Sequence, residues 1–90
     1  MPRWQFFVTP EAEQNMDALD MPIQTRVVGK LHWLVEHFDD IVPLPLGGPW
    51  RGFFKLRVGD WRVIYEIESE QERVIVHHIG KRDEVYRQKR

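Results

Sequence analysis

Lys55-Leu56-Arg57-Val58-Gly59-Asp60-Trp61-Arg62-Val63-Ile64-Tyr65 decides how the rest of the chain is read. Before Gly59-Asp60, Phe54, Leu56 and Val58 alternate with Phe53, Lys55 and Arg57. After it, Trp61, Val63, Tyr65 and Ile67 alternate with Arg62, Ile64, Glu66 and Glu68. A period of two, rich in aromatic and β-branched residues, predicts two strands with one face on a core. The Gly-Asp pair between them predicts a tight hairpin. One face is apolar throughout, while the other gathers Lys55, Arg57 and Arg62 around the turn. An acidic turn at residues 69–72 leads into a third strand from Arg73 to Ile79, and a compact tail follows from Gly80 to Arg87.

Upstream, Trp4 to Val8 reads as a first short strand. Thr9-Pro10-Glu11 opens a helix with a capping hydroxyl, a proline at the first turn and an acid at the positive end. Ala12, Met16 and Leu19 form its apolar stripe, and Met21-Pro22 interrupts the pattern near Asp20. A second helix is predicted from Ile23 to Phe38, with Ile23, Val27, Leu31, Leu34, Val35 and Phe38 on one side. The short link between the helices predicts a helical hairpin. Residues 39–49 hold Pro43, Pro45, Gly47, Gly48 and Pro49 and read as a loop. The order β-α-α-β-β-β predicts one α+β domain over residues 1–90, with the helical pair on a mostly antiparallel four-stranded sheet.

With 42% hydrophobic residues, including four Trp, five Phe and two Tyr, a core needs no disulfide or metal, and there is no Cys. Neither a membrane-length apolar run nor a signal-peptide pattern is present, so a cytoplasmic protein is expected. The net charge of −1 conceals an asymmetry. Residues 1–45 carry three basic and seven acidic residues, and residues 46–90 carry ten and seven, giving −4 and +3. A basic back half permits phosphate binding on one face.

The hairpin sequence, taken with the later Gly80-Lys81-Arg82 and Val85-Tyr86, resembles the RelE/ParE superfamily of toxins from type II toxin–antitoxin pairs. The resemblance implies the same α+β fold, with the first strand at the sheet edge beside a later one. It implies a ribosome-dependent mRNA endonuclease that works without metal or cofactor. In such an enzyme the ribose 2′-OH attacks the adjacent phosphate and a 5′-OH end leaves. By the same resemblance Lys55 acts as base or transition-state stabiliser and Arg62 clamps the phosphate. Arg82 stabilises the leaving group, since a guanidinium does not give up a proton, and Tyr86 stacks on or orients a nucleotide. Arg51, Arg57 and Lys81 are the expected RNA-binding residues. The implied partners are a cognate antitoxin and mRNA on the ribosome, with the toxin monomeric when free and hetero-oligomeric with its antitoxin. The sequence departs from the better-studied nucleases at Phe53, where they carry a second lysine. A ParE-like toxin, which inhibits DNA gyrase by protein contact, is the alternative on the same fold.

The plainer readings run beside these. Lys55 and Arg57 suit solvated strand charges that discourage edge pairing, and Arg62 suits an ion pair with Glu66 or Glu68. Tyr86 suits docking of the tail, and Gly59-Asp60 suits a turn and nothing more. His32 and His37 lack zinc spacing. His77 and His78, adjacent in a strand, are expected to point to opposite faces.

Overall fold

The computed structural model describes residues 3–87. Its elements are β1 (Gln5–Val8), α1 (Pro10–Asp17), α2 (Met21–Glu36), β2 (Leu44–Pro45), β3 (Phe54–Val58), β4 (Trp61–Glu68), β5 (Arg73–Lys81) and α3 (Arg82–Arg87). The sheet runs β1-β5-β4-β3-β2. β1 pairs with β5 in parallel, and every other pairing is antiparallel. Among the described residues five strands therefore stand where four were expected. The addition is β2, two residues of the proline-rich loop that pair with Lys55 and Phe54. A pairing this short has no alternation to announce it, and Pro45 is tolerated because β2 is an edge.

The helices form where the caps predict. Thr9 Oγ1 accepts a hydrogen bond from the Ala12 amide at 3.2 Å, and Glu11 and Glu13 occupy the first turn of α1. Pro22 sits in the first turn of α2 and so starts that helix. The expected α2 stripe is the core stripe. Val27, Leu31 and Leu34 are fully buried, with Val35 and Phe38 beside them and Ile23 at the margin. Each such side chain contributes about 1.5–3 kcal/mol by leaving water. They meet Leu56, Val58, Val63, Tyr65, Val74, Val76 and Ile79 from the inner face of the sheet. α1 lies chiefly along β5, and α2 crosses β1 and β3. The helices are tied by the Gln24 side-chain amide, which donates to the Met16 carbonyl at 2.8 Å.

A second, smaller cluster occupies the opposite face. Trp50, Ile64 and Val85 are buried there, with Leu46 and Phe53 against them. Trp50 Nε1 donates to the Val85 carbonyl at 3.1 Å, which clamps α3 over the outer face. Among the described residues, no helix is long and apolar enough to cross a membrane.

The expectation that His77 and His78 face opposite ways is corrected. Ile64 pairs with His78 but Tyr65 with Val76, so β5 carries an extra residue at this point. Such a bulge breaks the period of two. Val76 and Ile79 both reach the inner core, and both histidines turn outward. His77 meets the Phe53 ring edge-on at 5.0 Å, and His78 lies 5.9 Å from Trp50. Each has a carboxylate: Glu66 at 2.9 Å for His77 and Glu11 at 3.0 Å for His78.

Candidate functional site

The outer face begins at the β3–β4 turn. Val58 pairs with Trp61 across Gly59-Asp60, and Gly59 has φ +59°. A left-handed first turn residue matches the strand twist and suits glycine. Arg57 then stands directly opposite Arg62, and Lys55 opposite Ile64. Like charges in facing positions are mutually destabilising, so this arrangement is held by something other than its own electrostatics.

The turn backbone supplies that hold. Arg62 is buried, and its Nη1 donates to the carbonyls of Gly59 at 2.8 Å and Trp61 at 2.9 Å. Its Nε is also buried and has no hydrogen-bond partner among the described residues. The next carbonyl, that of Asp60, accepts from the Arg82 backbone amide at 2.9 Å and fixes the start of α3. One two-residue turn thereby seats both arginines. The ion pair of Arg62 with Glu66 or Glu68 does not form: Glu66 holds His77, and Glu68 holds Arg73.

Lys55, Arg57, Arg62 and Arg82 line a single cleft of about 260 Å³. Among the described residues no carboxylate lines it, so the described wall is cationic. Such a site concentrates anions, and partly desolvated walls strengthen each interaction. Arg51 and Lys81 lie outside the cleft. Arg51 is exposed beyond Trp50, while Lys81 pairs with Trp61 and holds its ammonium 5.8 Å from that ring. Tyr86 belongs to α3, and its side chain lies outside the described residues. Phe53 packs edge-on against Trp50 at 5.5 Å. Among the described residues, no group of three His, Asp or Glu side chains comes together as a metal site. The anchoring carbonyls of Gly59, Trp61 and Asp60 escaped the sequence reading, because a backbone acceptor has no residue-type signature.

A sheet with β1 parallel to its last strand and two helices on one face is the RelE-like α+β fold. The chain belongs to the family of the ParE toxin of type II toxin-antitoxin system, parDE, whose model matches residues 6–86. Similar solved structures include the toxin–antitoxin complex RelBE2 from Mycobacterium tuberculosis, at 25% identity and TM-score 0.78, covering 89% of this chain and 99% of that one. The isolated E. coli RelE toxin is 22% identical with TM-score 0.72, covering 93% and 92%. A YoeB/ParE toxin from Agrobacterium tumefaciens is 14% identical with TM-score 0.69, covering 86% and 96%. No curated protein matches the chain.

Proposed function

We propose that this toxin cleaves mRNA on the ribosome and is held inactive by a cognate antitoxin. The observation that carries the reading is the convergence of Lys55, Arg57, Arg62 and Arg82 on one cleft that no carboxylate among the described residues lines. In-line attack of a 2′-oxygen on phosphorus forms the 2′-O–P bond and breaks the P–O5′ bond. It leaves a 2′,3′-cyclic phosphate and a 5′-OH end, and charge accumulates on the phosphoryl oxygens in between. Prepositioned cations stabilise that charge best, because they need no rearrangement as it develops. Arg62 and Arg57 face the phosphate in this scheme. Lys55 takes the 2′-OH proton or stabilises the charge of the transition state, Arg82 stabilises the departing 5′-oxygen while water protonates it to the 5′-OH, and Tyr86 orients a nucleotide. Arg51 and Lys81 serve the flanking strand. Two further features support the antitoxin partner: the family assignment, and the complexes formed by the related toxins.

The second reading, inhibition of DNA gyrase by protein contact, is favoured by the ParE family model and by Phe53. Primer extension on a defined mRNA in a translating extract separates the two. The informative variant is Lys55→Met/Arg82→Ala, because Arg62 also anchors the turn. We expect cuts in A-site codons that need ribosomes and fall by 10²-fold or more in the variant, the order found when a transition-state donor is lost. Intact mRNA under growth arrest, with gyrase-linked DNA breaks, would overturn the nuclease reading in favour of the other.

A further inference from the structure

A second cationic recess adjoins the cleft on the helical side. It measures about 390 Å³, and its lining includes Arg26, Gly29, Lys30, Arg57 and Gly59. Arg57 lines both spaces, so its guanidinium is common to the two walls beside the β3–β4 turn. Again no carboxylate among the described residues lines the wall. Among the described residues, Arg26, Lys30 and Arg57 have no acidic partner, whereas Arg3 and Arg73 are paired with Glu72, Asp39 and Glu68. Unneutralised cations are thus gathered at the turn end of the molecule, where each raises the cost of the others.

Three local features keep the recess open and charged. Arg26 Nη2 lies 2.7 Å from where a Cβ on Gly59 would be, so the bare turn lets the guanidinium settle onto it. Lys30 Nζ sits 4.1 Å from the centre of the Trp33 ring, a cation–π contact that holds the ammonium at the mouth. Gly29 is placed inside α2, where glycine weakens a helix. No packing demand explains it, because a Cβ there would meet nothing within 4 Å. The floor between Arg26 and Lys30 is simply left bare.

We propose that this recess is a second phosphate-binding subsite. It continues the path of an RNA backbone from the cleft, past Arg57 and over the turn, onto α2. The contacts are to phosphodiesters and therefore independent of base sequence. The inference rests on the RNA reading above and adds to it the direction in which the strand leaves the cleft.

The test measures binding across a range of salt concentrations. The probes are a short single-stranded 2′-O-methyl RNA, which lacks the attacking hydroxyl, and purified bacterial ribosomes. For Arg26→Gln/Lys30→Gln we expect affinity to fall tenfold or more at moderate salt. The slope of log K against log salt should shrink by about 1.4, at about 0.7 per lost phosphate contact. Gly29→Ala should weaken binding while raising Tm, a combination that damage to the fold does not produce. Arg73→Gln should behave as wild type. Loss on the free strand assigns the subsite to substrate, and loss only on ribosomes assigns it to ribosomal RNA. Unchanged affinity and slope for the double variant on both probes, while Lys55→Met/Arg82→Ala weakens binding, would overturn the subsite and leave the RNA reading standing. A wild-type protein that binds neither probe removes both.

Discussion

Arg62 and Arg82 line one cleft, yet their side chains differ in what they do for the fold. Arg62 is buried and donates to two turn carbonyls, whereas the Arg82 side chain is exposed and, among the described residues, only its backbone amide is engaged. Arg62→Ala should therefore cost about 1–3 kcal/mol, the penalty for stranding buried polar groups. Arg82→Ala should stay within about 0.5 kcal/mol. Urea unfolding of the two variants checks this, and equal midpoints would refute the anchoring role. Tyr65 offers a separate test. Burial pushes its hydroxyl up to about 12, so below pH 10 it is protonated in both folded and unfolded chains. As pH rises from 10 toward 12, the unfolded chain ionises first and stability falls. Tyr65→Phe should lose that part of the decline in a comparison of unfolding free energies across the window; parallel curves would contradict it. At this scale the sequence identified the residue types and their face, because the alternation is strict. What each arginine holds was illegible, since its partners are main-chain oxygens.

Element by element, the hairpin, the helices and their stripes were legible, because each shows a period and a cap. Two features were not. β2 is too short to show alternation, and the β5 bulge shifts a period that runs on unbroken in the sequence. The bulge has a structural consequence: it adds His77 and His78 to the outer cluster beside which α3 docks. That docking rests on Val85, fully buried with Trp50 and Ile64, and on the indole hydrogen bond. Val85→Ala should weaken it by about 1–2 kcal/mol, as expected for deletion of a few buried methyl-sized groups. The effect should be local, because the main core on the other face is untouched. Amide exchange in α3 should speed up while β4 and β5 amides stay protected. On the nuclease reading proposed above, cleavage should drop as Arg82 loses its fixed position. Acceleration spread evenly over the sheet would mean that α3 is part of the global unfolding unit instead.

Across the whole molecule, charge is sorted by partner as well as by sign. Arg3 bridges Asp39 and Glu72, and Arg73 pairs with Glu68, so these cations serve the fold. Arg57 and Arg82, like Arg26, have no carboxylate among the described residues, and Arg57 and Arg82 share the cleft with Lys55 and Arg62. The split between a −4 front and a +3 back pointed this way but misplaced the boundary, since Arg26 and Lys30 of the acidic half join the basic end through α2. A surface that keeps such cations together stores repulsion that a bound polyanion releases. Inorganic tripolyphosphate should therefore stabilise the protein by ligand linkage, adding about 2.7 kcal/mol at a hundredfold excess over its Kd. For a chain of this length that corresponds to a rise in Tm of roughly 10–20 °C. Sodium chloride at equal ionic strength screens the repulsion without bridging it and should give only a small rise. In Arg57→Gln/Arg82→Gln, Tm without ligand should hold or increase, because like charges are removed, while the response to tripolyphosphate shrinks. A full response in that variant would place the anion elsewhere and detach the cleft from phosphate recognition.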